Sequence, residues 1–109
     1  MFYQANQDGY RLALPGIQLK TLAHGDRTLL TEFRMAAGSI LPTHAHPQEQ
    51  TGYLVAGRIR FTVDGTSFEA GPGDSWCFAG NVAHAAEILE DTLAIEVFSP
   101  IREDYLPGK

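Results

Sequence analysis

Apolar and polar residues alternate along this chain with a period of two, and no stretch sustains the i, i+3, i+4, i+7 spacing of an amphipathic helix. Ile17, Leu19 and Thr21 alternate with Gln18 and Lys20, and HGDR at 24–27 reads as a turn. Leu29, Thr31, Phe33 and Met35 alternate with Leu30, Glu32 and Arg34 before AAGS at 36–39 breaks the pattern. Ile59, Phe61 and Val63 alternate with Arg58, Arg60 and Thr62, and Asp64-Gly65 follows. That dipeptide predicts a hairpin, because a type I′ turn needs positive φ at both central positions. The return strand is expected at about 66–70, GPGD (71–74) as a turn and SWCF (75–78) as a short buried strand. After AGN (79–81) a strand runs through His84 to about Glu90. Glu90-Asp91 is expected to turn the chain, Thr92 to Phe98 to form the last strand, and SPIREDYLPGK to be a tail.

Many short strands joined by tight connections predict an all-β sandwich or barrel with antiparallel sheets, since parallel crossovers need longer links. The length of 109 residues suggests a single domain, 1–109, able to bury one core. Hydrophobic residues make up 44% of the chain. They are too many for a disordered chain and too dispersed for a membrane span.

The eight Lys and Arg residues are scattered, and the net charge is −5, so no nucleic-acid partner is expected. One buried arginine can still bind a carboxylate. The opening stretch MFYQANQDGYRLAL lacks the pattern of a signal peptide. The single cysteine, Cys77, lies between Trp76 and Phe78 and reads as a small core residue in a reducing compartment, so the expected location is cytoplasmic.

Candidate chemistry enters at THAHPQEQTGYLVAG, residues 43–57. On a strand His44 and His46 project from one face with Cα atoms about 6.5 Å apart. Two imidazoles at that spacing can converge on one ion at about 2.1 Å from each nitrogen. Gln50 has the same parity, although a bend near Pro47 can redirect it, and His84 lies on a distant strand that closure of the fold can bring alongside. Three histidines and a side-chain oxygen make an N3O site for one divalent transition metal, with nickel, zinc, iron and manganese all compatible. The competing reading of a lone His-x-His is two exposed polar residues.

The glycines around these ligands carry a resemblance to the cupins. Gly38, five residues, His44-Ala45-His46, three residues, Gln50, six residues, Gly57 is similar to the first cupin motif, with Gln in the place of Glu. Gly73 and His84 fall on their places in the second motif, while Ala79 stands for its proline, Asn81 for its glycine and Ile88 for its asparagine. The resemblance covers about residues 30–100. It implies a double-stranded β-helix, a jelly-roll-like barrel of two antiparallel sheets, flanked by N-terminal strand(s) and a short C-terminal tail. Cupins often pair sheets, so the expected assembly is a homodimer. His24 has no place in either motif and reads as a surface residue.

An amide at position 50 changes the charge of the site. Three neutral histidines with Glu leave a divalent ion at +1. With Gln they leave it at +2, a stronger Lewis acid that attracts anions but has no internal base. Proton transfer then falls to another residue. On the last strand Ala94, Glu96 and Phe98 share one face, and Arg102 follows Pro100. If that face looks inward, a carboxylate and a ring sit beside the metal, and the arginine can clamp a carboxylate. Alternatively Glu96 faces solvent and Arg102 pairs with Asp104 or Glu103.

HxHPxEQxGYxxxG followed by FSPxRxDY resembles the small pectin-degradation cupins, which convert 4,5-unsaturated uronates to a linear keto form. The resemblance implies His44, His46, Gln50 and His84 on the metal, with Glu96, Phe98 and Arg102 as catalytic residues. The pattern usually has Asp where this chain has Glu96. The implied ligand is a small anionic sugar acid. A metal-dependent iron dioxygenase and a non-enzymatic binding or storage cupin are the alternatives.

Overall fold

The computed structural model describes residues 1–108; Lys109, the last residue of the expected tail, lies outside them. Eight strands follow in chain order: β1 (Arg11–Leu14), β2 (Ile17–His24), β3 (Leu29–Met35), β4 (Ile40–His44), β5 (Glu49–Val63), β6 (Thr66–Ala70), β7 (Ser75–Phe78) and β8 (His84–Ser99). Every strand pairing is antiparallel. Bounds read from alternation hold for β3, β6 and β7, and Asp64 and Gly65 turn the hairpin with φ of +50° and +81°.

Two strands are far longer than the rest and belong to both layers. Over Thr92–Phe98, β8 pairs with β3; over Leu93–Ser99 it pairs with the first half of β5, whose other edge carries β7. This gives one layer in the order β1-β2-β3-β8-β5-β7. Over His84–Glu87, β8 pairs with β4 on one side and with the second half of β5 on the other, and that half of β5 carries β6. This gives the second layer, β4-β8-β5-β6. The expected double-stranded β-helix is therefore present, its two layers connected through bent strands. Their inner faces bury Ile17, Leu19, Leu29, Leu54, Ile59 and Ile88 among others.

The expected turn at Glu90-Asp91 is not a turn. Both residues are exposed, but the strand runs through them without a break. The bend is taken up opposite, in β5, where the register with β8 shifts between Leu54 and Ile59. Inward positions of β5 accordingly switch from Gln50, Gly52 and Leu54 to Ile59 and Phe61. Gly57 sits in this bulge at φ +102°, and a Cβ there would lie 2.3 Å from Thr92 Oγ1 and 2.4 Å from Asp91 O. This glycine of the first motif is thus required by both backbone angle and space.

Three further expectations are corrected. Cys77 is exposed and not a core residue. Trp76 and Phe78 are buried, and alternation sends the residue between them to the outer face. Alternation gave no bounds for β1 or for β4, and the strand expected to carry both His44 and His46 stops at His44. Strand β1 is a short edge strand, and β4 contains Pro42, which an edge strand tolerates. The tail is not loose: after a cis Ser99–Pro100 peptide it forms a 3₁₀ turn, Glu103–Tyr105, and Ile101, Tyr105 and Leu106 pack on the core. Among the described residues no helix is long and apolar enough to cross a membrane.

Gly57→Ala is expected to cost about 3 kcal/mol or more in urea unfolding, because strain and collision add. Gly38→Ala, at φ +89° but facing open space, is expected to cost only about 1 kcal/mol. Equal losses would show that crowding at the bulge is relieved by local movement.

Candidate metal centre

The three histidines of the motifs meet between the layers. His44 ends β4 and His84 opens β8, where the two are register partners. His46 lies in the bend between β4 and β5, so the two histidines do not share one strand as expected. They converge nonetheless. Ring centroids are 4.3 Å apart for His44 and His84, 5.1 Å for His46 and His84, and 5.8 Å for His44 and His46. One ring nitrogen from each lies within 4.8 Å of the others. The bend is tied down by the Asn81 N–H, which donates to His46 O at 2.7 Å. Asn81 takes φ +66° in the place of the motif's glycine, and asparagine tolerates that region better than most residues.

The tautomers are set by the backbone. His44 Nδ1 bonds to Pro42 O at 2.9 Å, His46 Nδ1 to Gln48 O at 3.0 Å and His84 Nδ1 to Val82 O at 2.9 Å. A carbonyl oxygen only accepts, so each Nδ1 carries the proton and each neutral ring turns an Nε2 lone pair inward. His84 Nε2 is buried without a hydrogen-bond partner. His46 Nε2 faces Gln50 Oε1 at 3.0 Å. The Gln50 amide is oriented by its NH₂, which donates to Glu96 Oε1, so that its oxygen also presents lone pairs. Lone pairs aimed at one another and an orphaned imidazole nitrogen are unfavourable unless a cation lies among them. The donor set therefore fits a divalent transition metal.

Burial and the Arg102 charge hold the His46 pKa below its ordinary value, and burial does the same for His84. Both rings are thus poised neutral, the form that binds a cation. Glu96 is the opposite case. Its face of β8 does look inward, and burial pushes its pKa up, against the N–H donors of Gln50 and Trp76 and the charge of Arg102. The Trp76 Nε1–H donates to Glu96 Oε1 at 2.9 Å. A solvent-facing Glu96 is excluded.

Phe98 is fully buried, its ring 5.6 Å from that of His46. Arg102 takes the alternative expected for it and also borders the pocket. It pairs with Asp104 at 3.0 Å, and it lines the pocket, its guanidinium 3.9 Å from the centre of the Tyr105 ring and 5.2 Å from that of Phe98. The pocket is otherwise walled by apolar side chains, including Phe33, Met35, Leu41 and Phe61. An outer groove bordered by Leu12, Thr43 and Asp104 shares His44, Arg102 and Tyr105 with it. His24 is exposed and takes no part in this cluster; its ring lies against that of Tyr3. Sequence reasoning missed Trp76 and Tyr105 as lining residues. The tyrosine of FSPxRxDY was the available signal for the second.

Comparisons with known proteins agree with this architecture. A family model described as "Cupin domain" matches residues 31–99. The structure of KdgF from Halomonas sp. aligns with a TM-score of 0.90 at 30% identity, covering 97% of this chain and 100% of that one. An RmlC-like cupin from Shewanella frigidimarina NCIMB 400 aligns with a TM-score of 0.86 at 27% identity, covering 92% of this chain and 90% of that one. A variant of oxalate decarboxylase from Bacillus subtilis aligns with a TM-score of 0.76 at 24% identity. It covers 90% of this chain and 29% of that one, and bears on the fold alone. A search of the curated proteins finds no match.

Metal per chain is expected to fall in His44→Ala, His46→Ala and His84→Ala, measured by elemental analysis of protein purified without chelators. Occupancy of the wild type should hold from pH 8 to 7. It should decline only below the ordinary imidazole value of about 6.5, since protons must first overcome the depressed pKa of His46 and His84. Wild-type stoichiometry in all three variants would refute the site.

Proposed function

The chain belongs to the Cupin domain family, and from that premise we propose that it is a metal-dependent enzyme that opens an unsaturated uronate, or a similar sugar acid, to its linear keto form. The observation that carries this reading is the buried Glu96 carboxylate, set in the same pocket as the histidine cluster with an arginine beside it. The motif resemblance to the pectin-degradation cupins supports the substrate class.

His44, His46, His84 and Gln50 would hold the cation. A divalent ion bound there supplies Lewis acidity toward substrate oxygens and attraction for an anion. Arg102 binds the substrate carboxylate. Its guanidinium already rests on Tyr105 and Phe98 and is held by Asp104, so little side-chain freedom is lost when the anion arrives. Phe98, Phe33 and Phe61 exclude water from the reacting carbons.

The reaction is an isomerisation. One proton leaves the anomeric hydroxyl, the bond between the anomeric carbon and the ring oxygen breaks, and an aldehyde forms. The ring oxygen becomes the ketone oxygen as carbon 4 takes up one proton, so atoms balance without a co-reactant. Glu96 moves that proton. Burial raises its pKa toward the operating range, where a carboxyl group both accepts and returns a proton.

The metal-replete protein should speed the loss of ultraviolet absorbance of a 4,5-unsaturated galacturonate or a related unsaturated uronate. Glu96→Gln, which can still accept from Trp76 and Gln50, should lower kcat by about 10²-fold or more. Arg102→Ala should mainly raise KM, and chelation of the metal should abolish turnover. If the metal-replete protein leaves a panel of such uronates at the uncatalysed rate, this reading is wrong, while the fold and the histidine cluster stand.

A further inference from the structure

Gly52 has two register partners, Trp76 on β7 and Glu96 on β8, so the three residues lie side by side across the layer, all facing inward. A side chain at the central position would close the space between its neighbours. A Cβ on Gly52 would sit 2.2 Å from Trp76 Cε2 and 2.3 Å from Trp76 Nε1. The indole therefore lies directly over the glycine and crosses β5 to reach the carboxylate two strands away, at 2.9 Å. The backbone angle does not require glycine here; only the space does, since Gly52 has no positive φ.

We infer that Trp76, lying across the window left by Gly52, is a positioning residue that fixes Glu96 for proton transfer. The inference rests on the function proposed above for Glu96. The Trp76 and Gln50 donors converge on the same oxygen, Oε1, and Oε2 takes no part in either bond. One oxygen is thereby anchored, and the carboxylate cannot turn about its last bond without giving up both. Oε2 is the oxygen that meets the substrate. The Trp76 anchor stands on a rigid strand whose backbone pairs with β5, and Phe61 holds the indole from a second side at 4.7 Å between ring centres. The bond also couples the histidine cluster to the base, because the same Oε1 orients the amide of Gln50.

Trp76→Phe keeps an apolar ring but removes the N–H. It should lower kcat roughly ten- to hundredfold, the worth of a hydrogen bond to a charged group, with KM changed by about twofold at most and metal per chain unchanged. Gly52→Ala leaves both partners in the chain, displaces the indole, and should give the same split. On a Glu96→Gln background, Trp76→Phe should have no further effect on kcat. A full wild-type kcat in Trp76→Phe, or additive losses, overturns the inference.

Trp76 is the only tryptophan, so one indole N–H proton resonance reports the bond without substrate. It should lie downfield of free indole and move back toward it in Glu96→Ala. An unmoved resonance overturns the inference even if Trp76→Phe fails to fold or the protein turns over no uronate. Absence of turnover by the wild type, with the resonance moving as expected, instead refutes the proposed function and leaves the anchoring of Glu96 in place.

Discussion

The site depends on the pairing of β5 with β8. Gln50 faces Phe98, Gly52 faces Glu96 and Val63 faces His84 along the same pair of strands. A strand of this length would splay its two ends if it stayed straight, and the ends would then belong to unrelated surfaces. The bulge around Gly57 bends it instead, so the half carrying Gln50 and the half facing His84 enclose one interior. The same bulge shifts the register by one residue and so reverses which positions of β5 look inward. Without that shift Ile59 and Phe61 would face solvent while Gln50 stayed inside, and the apolar wall of the pocket would be lost.

Inside that wall the polar groups are few and depend on each other. Three imidazoles are pinned by their own neighbouring carbonyls, two residues away in each case. Pinning by local backbone means that the lone pairs keep their direction whether or not an ion is present. The cost falls on the folded protein: an orphaned buried polar atom costs about 1–3 kcal/mol, and His84 Nε2 is one. Such a cost is tolerated where the missing partner is supplied by binding, which then stabilises the fold in turn. Burial of Glu96 follows the same logic. Its raised pKa is a loss of stability once pH rises through it, and a gain in readiness to exchange a proton.

The fold was legible where one side of a strand is buried and the other exposed, as in β3, because alternation then records the layer directly. It was not legible where the chain bends within a strand. Glu90 and Asp91 are exposed on the outside of a bend, and exposed acidic pairs look like turns. Cys77 was misread because its aromatic neighbours marked the strand as buried, although alternation places the residue between them on the outer face. The convergence of the three histidines was legible from spacing, since spacing survives an error of local conformation: His46 sits in a bend and still converges. Trp76 was not legible as part of the site. Its contact with Glu96 spans two strands, and the only trace in the sequence is a glycine whose neighbours across the sheet are unknown until the register is.

The amide at position 50 has a reason that charge on the ion does not supply. Its oxygen must face the histidines while its other end touches a buried carboxylate. An amide does both, with a lone pair on one side and a donor on the other. A carboxylate at position 50 would present oxygen to oxygen, and two buried carboxylates in contact cannot both ionise, so one would have to take up a proton. That proton would sit on one of the two carboxylates and change what each presents to the pocket. Glutamine separates the two duties. A cation held there would keep its full charge, and the carboxylate of the pocket remains Glu96 alone, held at one oxygen by Gln50 and Trp76.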